Sequence, residues 1–127
     1  MRKPIHTNEV ATPNNPYSQA IVARGTFVFL SGVGPTDPAT GDPRLGSFRE
    51  QAELTFENIG KLLQAAGSSW ANVVKVSAFL ADFSNFPEYN DVYRKYFREP
   101  YPARTTVQAG IGKIAIEVDC IALVPEN

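Results

Sequence analysis

Two helices lying on one side of a β-sheet, within one domain, is the architecture this sequence predicts. Three observations carry that expectation. Two segments place apolar residues at three- and four-residue spacing, five short runs are β-prone or alternate, and the last run has a continuous apolar face suited to lie under the helices. With 127 residues the chain suits a single domain, residues 1–127, that buries about two thirds of its unfolded surface without disulfides or a structural metal.

Ala20 to Ala23 and Thr26 to Ser31 are short β-prone runs, and Arg24-Gly25 between them suits a hairpin turn. Pro35, Asp37-Pro38, Gly41, Asp42-Pro43 and Gly46 come next as turn residues. Ser47-Phe48-Arg49-Glu50 is a capping box, in which Ser47 accepts from the Glu50 amide while the Glu50 side chain reaches back. A helix starts there, with Ala52, Phe56, Ile59, Leu63 and Ala66 as its apolar stripe and Gly67 as its stop.

Val73 to Leu80 reads as a strand with Val74, Val76, Ala78 and Leu80 on one face. Pro87 to Phe97 is the second helix: Asn85 stands at capping distance, Pro87 suits the first turn, and Phe86, Tyr89, Tyr93 and Tyr96 or Phe97 form the buried stripe. Ala103 to Gln108 and Ile114 to Val124 finish the chain as two strands, with Gly110 and Gly112 supplying a hairpin connection. Ile114, Ile116, Val118, Cys120, Ala122 and Val124 share the apolar face of the last strand, which makes Cys120 a small core residue. Its other face carries Ala115, Glu117, Asp119, Ile121 and Leu123, whose apolar members need a cover and suggest that copies of the chain bury their sheets against one another.

Composition excludes several function classes. Twelve Lys+Arg against 13 Asp+Glu, net charge -1, lack the electrostatic footprint of a dedicated nucleic-acid binder. Arg94, Lys95 and Arg98 cluster, but interleaved with Asp91 and Glu99 they read as a solvated helix face. No apolar run approaches the roughly 20 residues of a spanning helix, so no membrane partner is expected. Cys120 has no disulfide partner, and His6 with Cys120 falls short of a zinc site, so no metal is expected. Met1 to His6 has no apolar signal region, which implies a reducing, cytoplasmic setting.

If the last two strands form a hairpin around Gly110 and Ile111, Arg104 and Glu117 fall opposite each other on one face. A surface ion pair would look the same. Thr106 and Gln108 share the parity of Arg104, however, and Asp119 that of Glu117, so a polar cluster would sit among apolar residues as in a small-molecule site. An Arg there can grip a carboxylate, and a Glu partly withdrawn from water can exchange protons near neutrality. No G-x-S-x-G accompanies the lone His6, which argues against a nucleophile triad. Gly110-Ile111-Gly112-Lys113 lacks the first Gly and the Ser/Thr of a phosphate loop, and Lys75 reads as an exposed strand lysine rather than a Schiff-base former.

The chain resembles the RidA/YjgF family of enamine/imine deaminases from about Asn15 to Ala122. The features are Pro16-Tyr17-Ser18-Gln19-Ala20, Ser31-Gly32, Gln51-Ala52 with Phe56, Asn58 and Ile59, Ala65-Ala66-Gly67, Phe86 with Asn90 and Tyr93, Pro102-Ala103-Arg104, and Ile116-Glu117. The resemblance implies an α+β, chorismate-mutase-like fold with a mixed sheet, and a homotrimer whose clefts lie at subunit interfaces. It implies that Arg104 holds the carboxylate of an imino or enamino acid substrate and that Glu117 positions or activates the attacking water. Tyr17, Ser31, Asn90 and Thr106 match positions that line the cleft, and no cofactor takes part.

The sequence departs from the family pattern at Thr106, where many members have Cys, at Val33 for Gln, at Asn15 for Gly, and at Gly112 for Pro in a shorter loop. These bear on the substrate rather than on the Arg104 and Glu117 pair. Hydrolysis of 2-aminoacrylate and similar acids is the activity implied; the rivals are deamination of another unsaturated amino acid, such as 2-aminomuconate, and a non-catalytic metabolite-binding or chaperone-like trimer. A ribonuclease role finds neither a basic groove nor a His pair.

Overall fold

The helix start predicted at Ser47 forms as a complete capping box. In the computed structural model, which describes residues 1–126, Ser47 Oγ accepts from the Glu50 amide at 3.2 Å and Glu50 Oε1 accepts from the Ser47 amide at 3.0 Å. Two orphan donors are thereby satisfied, and α1 runs Phe48–Ala65. Gly67 takes a φ of 78°, the left-handed conformation that ends a helix at low cost. Ala52, Phe56, Ile59 and Leu63 are buried as expected.

Among the described residues six strands accompany α1 and α2 (Phe86–Tyr96): β1 (Arg2–Ile5), β2 (Ala20–Ala23), β3 (Thr26–Phe29), β4 (Val73–Leu80), β5 (Ala103–Gln108) and β6 (Ile116–Val124). The main sheet has the order β3-β6-β4-β5, with β4 and β5 parallel and the other pairs antiparallel. Both helices cover one face, an α+β arrangement on a mixed sheet. Phe56 lies at the centre of the core, within 6.2 Å of the rings of Trp70, Tyr89, Tyr93, Tyr96 and Phe97.

Several expected pairings do not form. Ala20 to Ala23 makes no hairpin with Thr26 to Ser31: β2 pairs with β1, while β3 pairs with β6. Gly25, at φ 142°, lets the chain change direction between the two sheets instead of closing a turn. The last hairpin is also absent, because β4 lies between β5 and β6. The last strand begins at Ile116 rather than Ile114. An irregularity between Val73 and Lys75 puts Val73 rather than Val74 into the core. Asn85 sits at the start of α2 without a side-chain cap. Leu123, expected to need an outside cover, is only 6% exposed and packs against Gly25.

Candidate functional site

The sheet register decides which side chains meet. Arg104 pairs with Val76, which pairs with Cys120 on β6, so all three share the face beneath the helices. Thr106 joins them beside Ala78 and Val118. Glu117 pairs with Phe79, opposite Val107, and Asp119 with Ser77; these lie on the open face. Arg104 and Glu117 therefore point to opposite sides of the sheet, on strands separated by β4. The expected cross-strand pair is overturned because β4 lies between the two strands and sets their register: Val76 puts Arg104 on the face of Cys120, so even-numbered residues of β5 share a face with even-numbered residues of β6 and Glu117 falls on the other.

Arg104 enters an aromatic box. Its guanidinium carbon lies 4.6 Å from the ring centre of Tyr93, 5.1 Å from Tyr89, and 5.6 Å from Phe86 and from Tyr17. Three rings come from α2 at helical spacing. Tyr17 is delivered by the chain before β2, where the Ser18 amide donates to the Pro102 carbonyl at 3.0 Å and Ser18 bridges to Ala103 in parallel. Asn90, 4% exposed, donates through Nδ2 to Asn15 Oδ1 at 3.1 Å and ties α2 to the same segment.

The box contains a cation without an anion. Among the described residues the ion pairs are Arg44–Asp37, Arg49–Glu88, Arg94–Asp91 and Lys95–Glu53, none involving Arg104. Of six buried side-chain polar atoms without a hydrogen-bond partner, five belong to this region: Arg104 Nη1, Thr106 Oγ1, the hydroxyls of Tyr89 and Tyr93, and Asn90 Oδ1. Burial pushes the Tyr89 hydroxyl up to about 12, partly opposed by Arg104 and Thr106 beside it, and raises Tyr93 further, so both rings stay neutral. Leaving such groups unpaired is costly, and a desolvated guanidinium gains most from a carboxylate that can accept two parallel hydrogen bonds.

The open face is built differently. Glu117 folds over Gly32, where a methyl group would lie 2.7 Å from Oε2 and 2.9 Å from the carboxyl carbon. Ser31, next to it, is exposed. Farther along the same face Phe27, Phe29, Ala103 and Ile121 line a hollow of about 390 Å³, and Phe29 is 71% exposed. Thus Tyr17, Asn90, Arg104 and Thr106 gather on one side, and Ser31 and Glu117 on the other. Cys120 is a core residue whose thiol burial pushes up to about 12, aided by Asp119, and Lys75 donates to Thr105 Oγ1 at 2.9 Å.

Sequence reasoning placed Phe86, Tyr89 and Tyr93 in a core stripe and missed that they enclose Arg104. The available signal was two phenols in a stripe that apolar packing alone could have filled with Phe or Leu. Gly32 has no signal in the sequence beyond its place after Ser31; its lack of a side chain is what admits the Glu117 carboxylate.

Residues 7–124 match the model of the family described as endoribonuclease L-PSP. A RutC family protein of Pyrococcus horikoshii is 41% identical over 124 residues, 96% of this chain and 98% of that protein. The 2-iminobutanoate/2-iminopropanoate deaminase of Bos taurus is 39% identical over 121 residues, 92% of this chain and 88% of that protein. Among solved structures, RidA from the Antarctic bacterium Psychrobacter sp. superposes with a TM-score of 0.73 at 38% identity, covering 96% of this chain and 99% of that one.

Proposed function

The chain belongs to the endoribonuclease L-PSP family, which includes the RidA/YjgF proteins, and from that premise we propose that it hydrolyses reactive 2-imino and 2-enamino acids, such as 2-aminoacrylate, to 2-keto acids and ammonia. The observation that carries this reading is the Arg104 guanidinium, enclosed by four rings and unpaired with any carboxylate among the described residues. It is the anchor for the substrate carboxylate.

Glu117 serves the reacting carbon, and in this reading it comes from a second copy, because within one chain it faces the other side of the sheet. Strands two apart are separated by roughly 10 Å, too far for a three- or four-carbon acid to touch both groups through the sheet. The homotrimer implied by the family resemblance supplies the second copy, and the exposed Phe29 and the hollow beside it support a face made to be covered.

The chemistry needs little. An enamine first takes a proton at carbon and becomes the iminium; an imine reaches the same species by taking a proton at nitrogen. Water then adds to the C2 of the iminium, Glu117 accepting a water proton as the C–O bond forms. Glu117 returns that proton to nitrogen, the C–N bond breaks and ammonia leaves while the C2 hydroxyl gives its proton to the Glu117 carboxylate, so that C2 becomes the keto carbon. Tyr17, Ser31, Asn90 and Thr106 line the cleft and orient the substrate. The reaction as written uses no cofactor, and the reactive substrate makes placement the main task.

The test is ammonia release from 2-iminobutanoate generated in situ by a threonine dehydratase. Wild-type protein should accelerate it and Arg104→Ala should not. Equal acceleration by the folded variant removes Arg104 from the site. Parallel rates on 2-aminomuconate separate a pathway-specific deaminase from a general one.

A further inference from the structure

The aromatic box raises a question that carboxylate anchoring alone does not answer: what holds Arg104 in one orientation when no protein carboxylate does so. We infer that Tyr93, Tyr89, Phe86 and Tyr17 are positioning residues that fix the guanidinium plane before a ligand arrives and turn its Nε–Nη2 edge outward, so that a carboxylate is gripped side-on. The inference rests on the reading of Arg104 as the anchor.

Geometry supports both halves. Ring faces attract a cation but accept no strong hydrogen bonds from its N–H groups, so a guanidinium held by rings keeps its donors available, unlike one held by Asp or Glu. The rings have their own backing. Tyr93 stacks on Phe97 with centroids 4.2 Å apart, Phe86 on Phe83 at 4.8 Å, and Tyr89 on Phe56 at 6.1 Å. Tilting Arg104 against Tyr89 or Tyr93 would require moving the buried core.

The nitrogens are also unequal. Nη1 is sealed from solvent without a partner, as are the hydroxyls of Tyr89, Tyr93 and Thr106. Nε and Nη2 are neither sealed nor hydrogen-bonded among the described residues. Two parallel N–H bonds from one guanidinium edge match the spacing of carboxylate oxygens. The accessible edge is Nε–Nη2. The box would not hold a lysine in the same way, since an ammonium has no plane to fix.

Protein labelled with ¹⁵N-arginine tests this. In the ligand-free wild type, the two Nη groups of Arg104 should give separate signals, because the box blocks rotation that is ordinarily fast. On titration with 2-ketobutanoate, a stable keto acid, Nε and Nη2 should shift and Nη1 should stay. Tyr93→Leu should merge the Nη signals and raise KM for 2-iminobutanoate roughly tenfold, with a much smaller change in kcat, as expected for losing one desolvated cation–π contact. Tyr93→Phe should restore both readouts. Phe86→Leu, at a half-buried position, gives a weaker form of the same effect should Tyr93→Leu fail to fold. Merged Nη signals in the free wild type, or a shift confined to the Nη pair on titration, overturns the positioning role alone. Unchanged affinity for 2-ketobutanoate in Arg104→Ala overturns the anchor reading itself.

Discussion

Gly32→Ala offers a narrow probe of Glu117, because the substitution leaves every proposed catalytic group chemically intact. The backbone at Gly32 is not left-handed, so an alanine there meets no conformational penalty of its own. Its methyl, however, would sit 2.7 Å from Glu117 Oε2 and 2.9 Å from the carboxyl carbon, and an ordinary contact begins at 3.4 Å. The carboxylate must move by about 0.7 Å, from 2.7 to 3.4 Å, and as the end of a flexible side chain it can do so cheaply. A displacement approaching 1 Å of a group that places water can cost about 100-fold in rate. We therefore expect kcat for 2-iminobutanoate to fall between tenfold and 100-fold, on the order set by that geometric sensitivity. Affinity for 2-ketobutanoate, set at Arg104, should hold, and stability should change by less than about 1 kcal/mol. Steady-state ammonia release, calorimetric titration and thermal unfolding measure the three. Wild-type kcat in the variant would mean that the position of Glu117 over Gly32 does not matter to the reaction.

Alkaline unfolding should expose the buried phenols. The folded pKa of Tyr89 lies above its unfolded value, so its contribution is complete below about pH 10 and is lost between about 10 and 12, roughly 3 kcal/mol over two units. Denaturant titrations across that range should show the decline, and Tyr89→Phe should flatten part of it. Phe56→Ala removes a fully buried ring that contacts five others and should cost about 3–5 kcal/mol in urea unfolding. Ser47→Ala breaks the capping box and should cost about 1 kcal/mol by the same assay. The Cys120 thiol should resist a disulfide reagent in the native protein at neutral pH and react at the rate of unfolding.

Local signals in this sequence translate well into local structure. The Ser47 box, the α1 stripe, the Gly67 stop and the alternation of β6 all express contacts within a few residues, and all appear in the fold. Pairing depends on distant segments and was less legible. Arg24-Gly25 and Gly110-Gly112 are as compatible with crossovers as with hairpins, since a flexible residue permits a turn without dictating which strand the chain pairs with next. β1 is not legible in the sequence because Pro4 within Arg2–Ile5 weakens its strand signature, and the strand exists only through pairing with β2.

The site shows the same division. The parities of Arg104 with Thr106 and of Glu117 with Asp119 were legible in the alternation of their strands. Their meeting on one face does not occur, because it rested on a hairpin that β4 interrupts. That correction strengthens the case for a shared site: a cation facing the helices and a carboxylate on the opposite face can serve one small substrate only across a contact between copies.

Mixing two inactive variants tests this most directly. Arg104→Ala and Glu117→Gln proteins are each purified, unfolded together and refolded at equal concentration, so that the proposed oligomer would assemble from both. If each site takes Arg104 from one copy and Glu117 from another, random assembly leaves one site in four intact, and about a quarter of wild-type deamination should return. If both groups serve from the same chain, no mixture can contain an intact site, and activity that stays at the level of the separate variants would contradict the account.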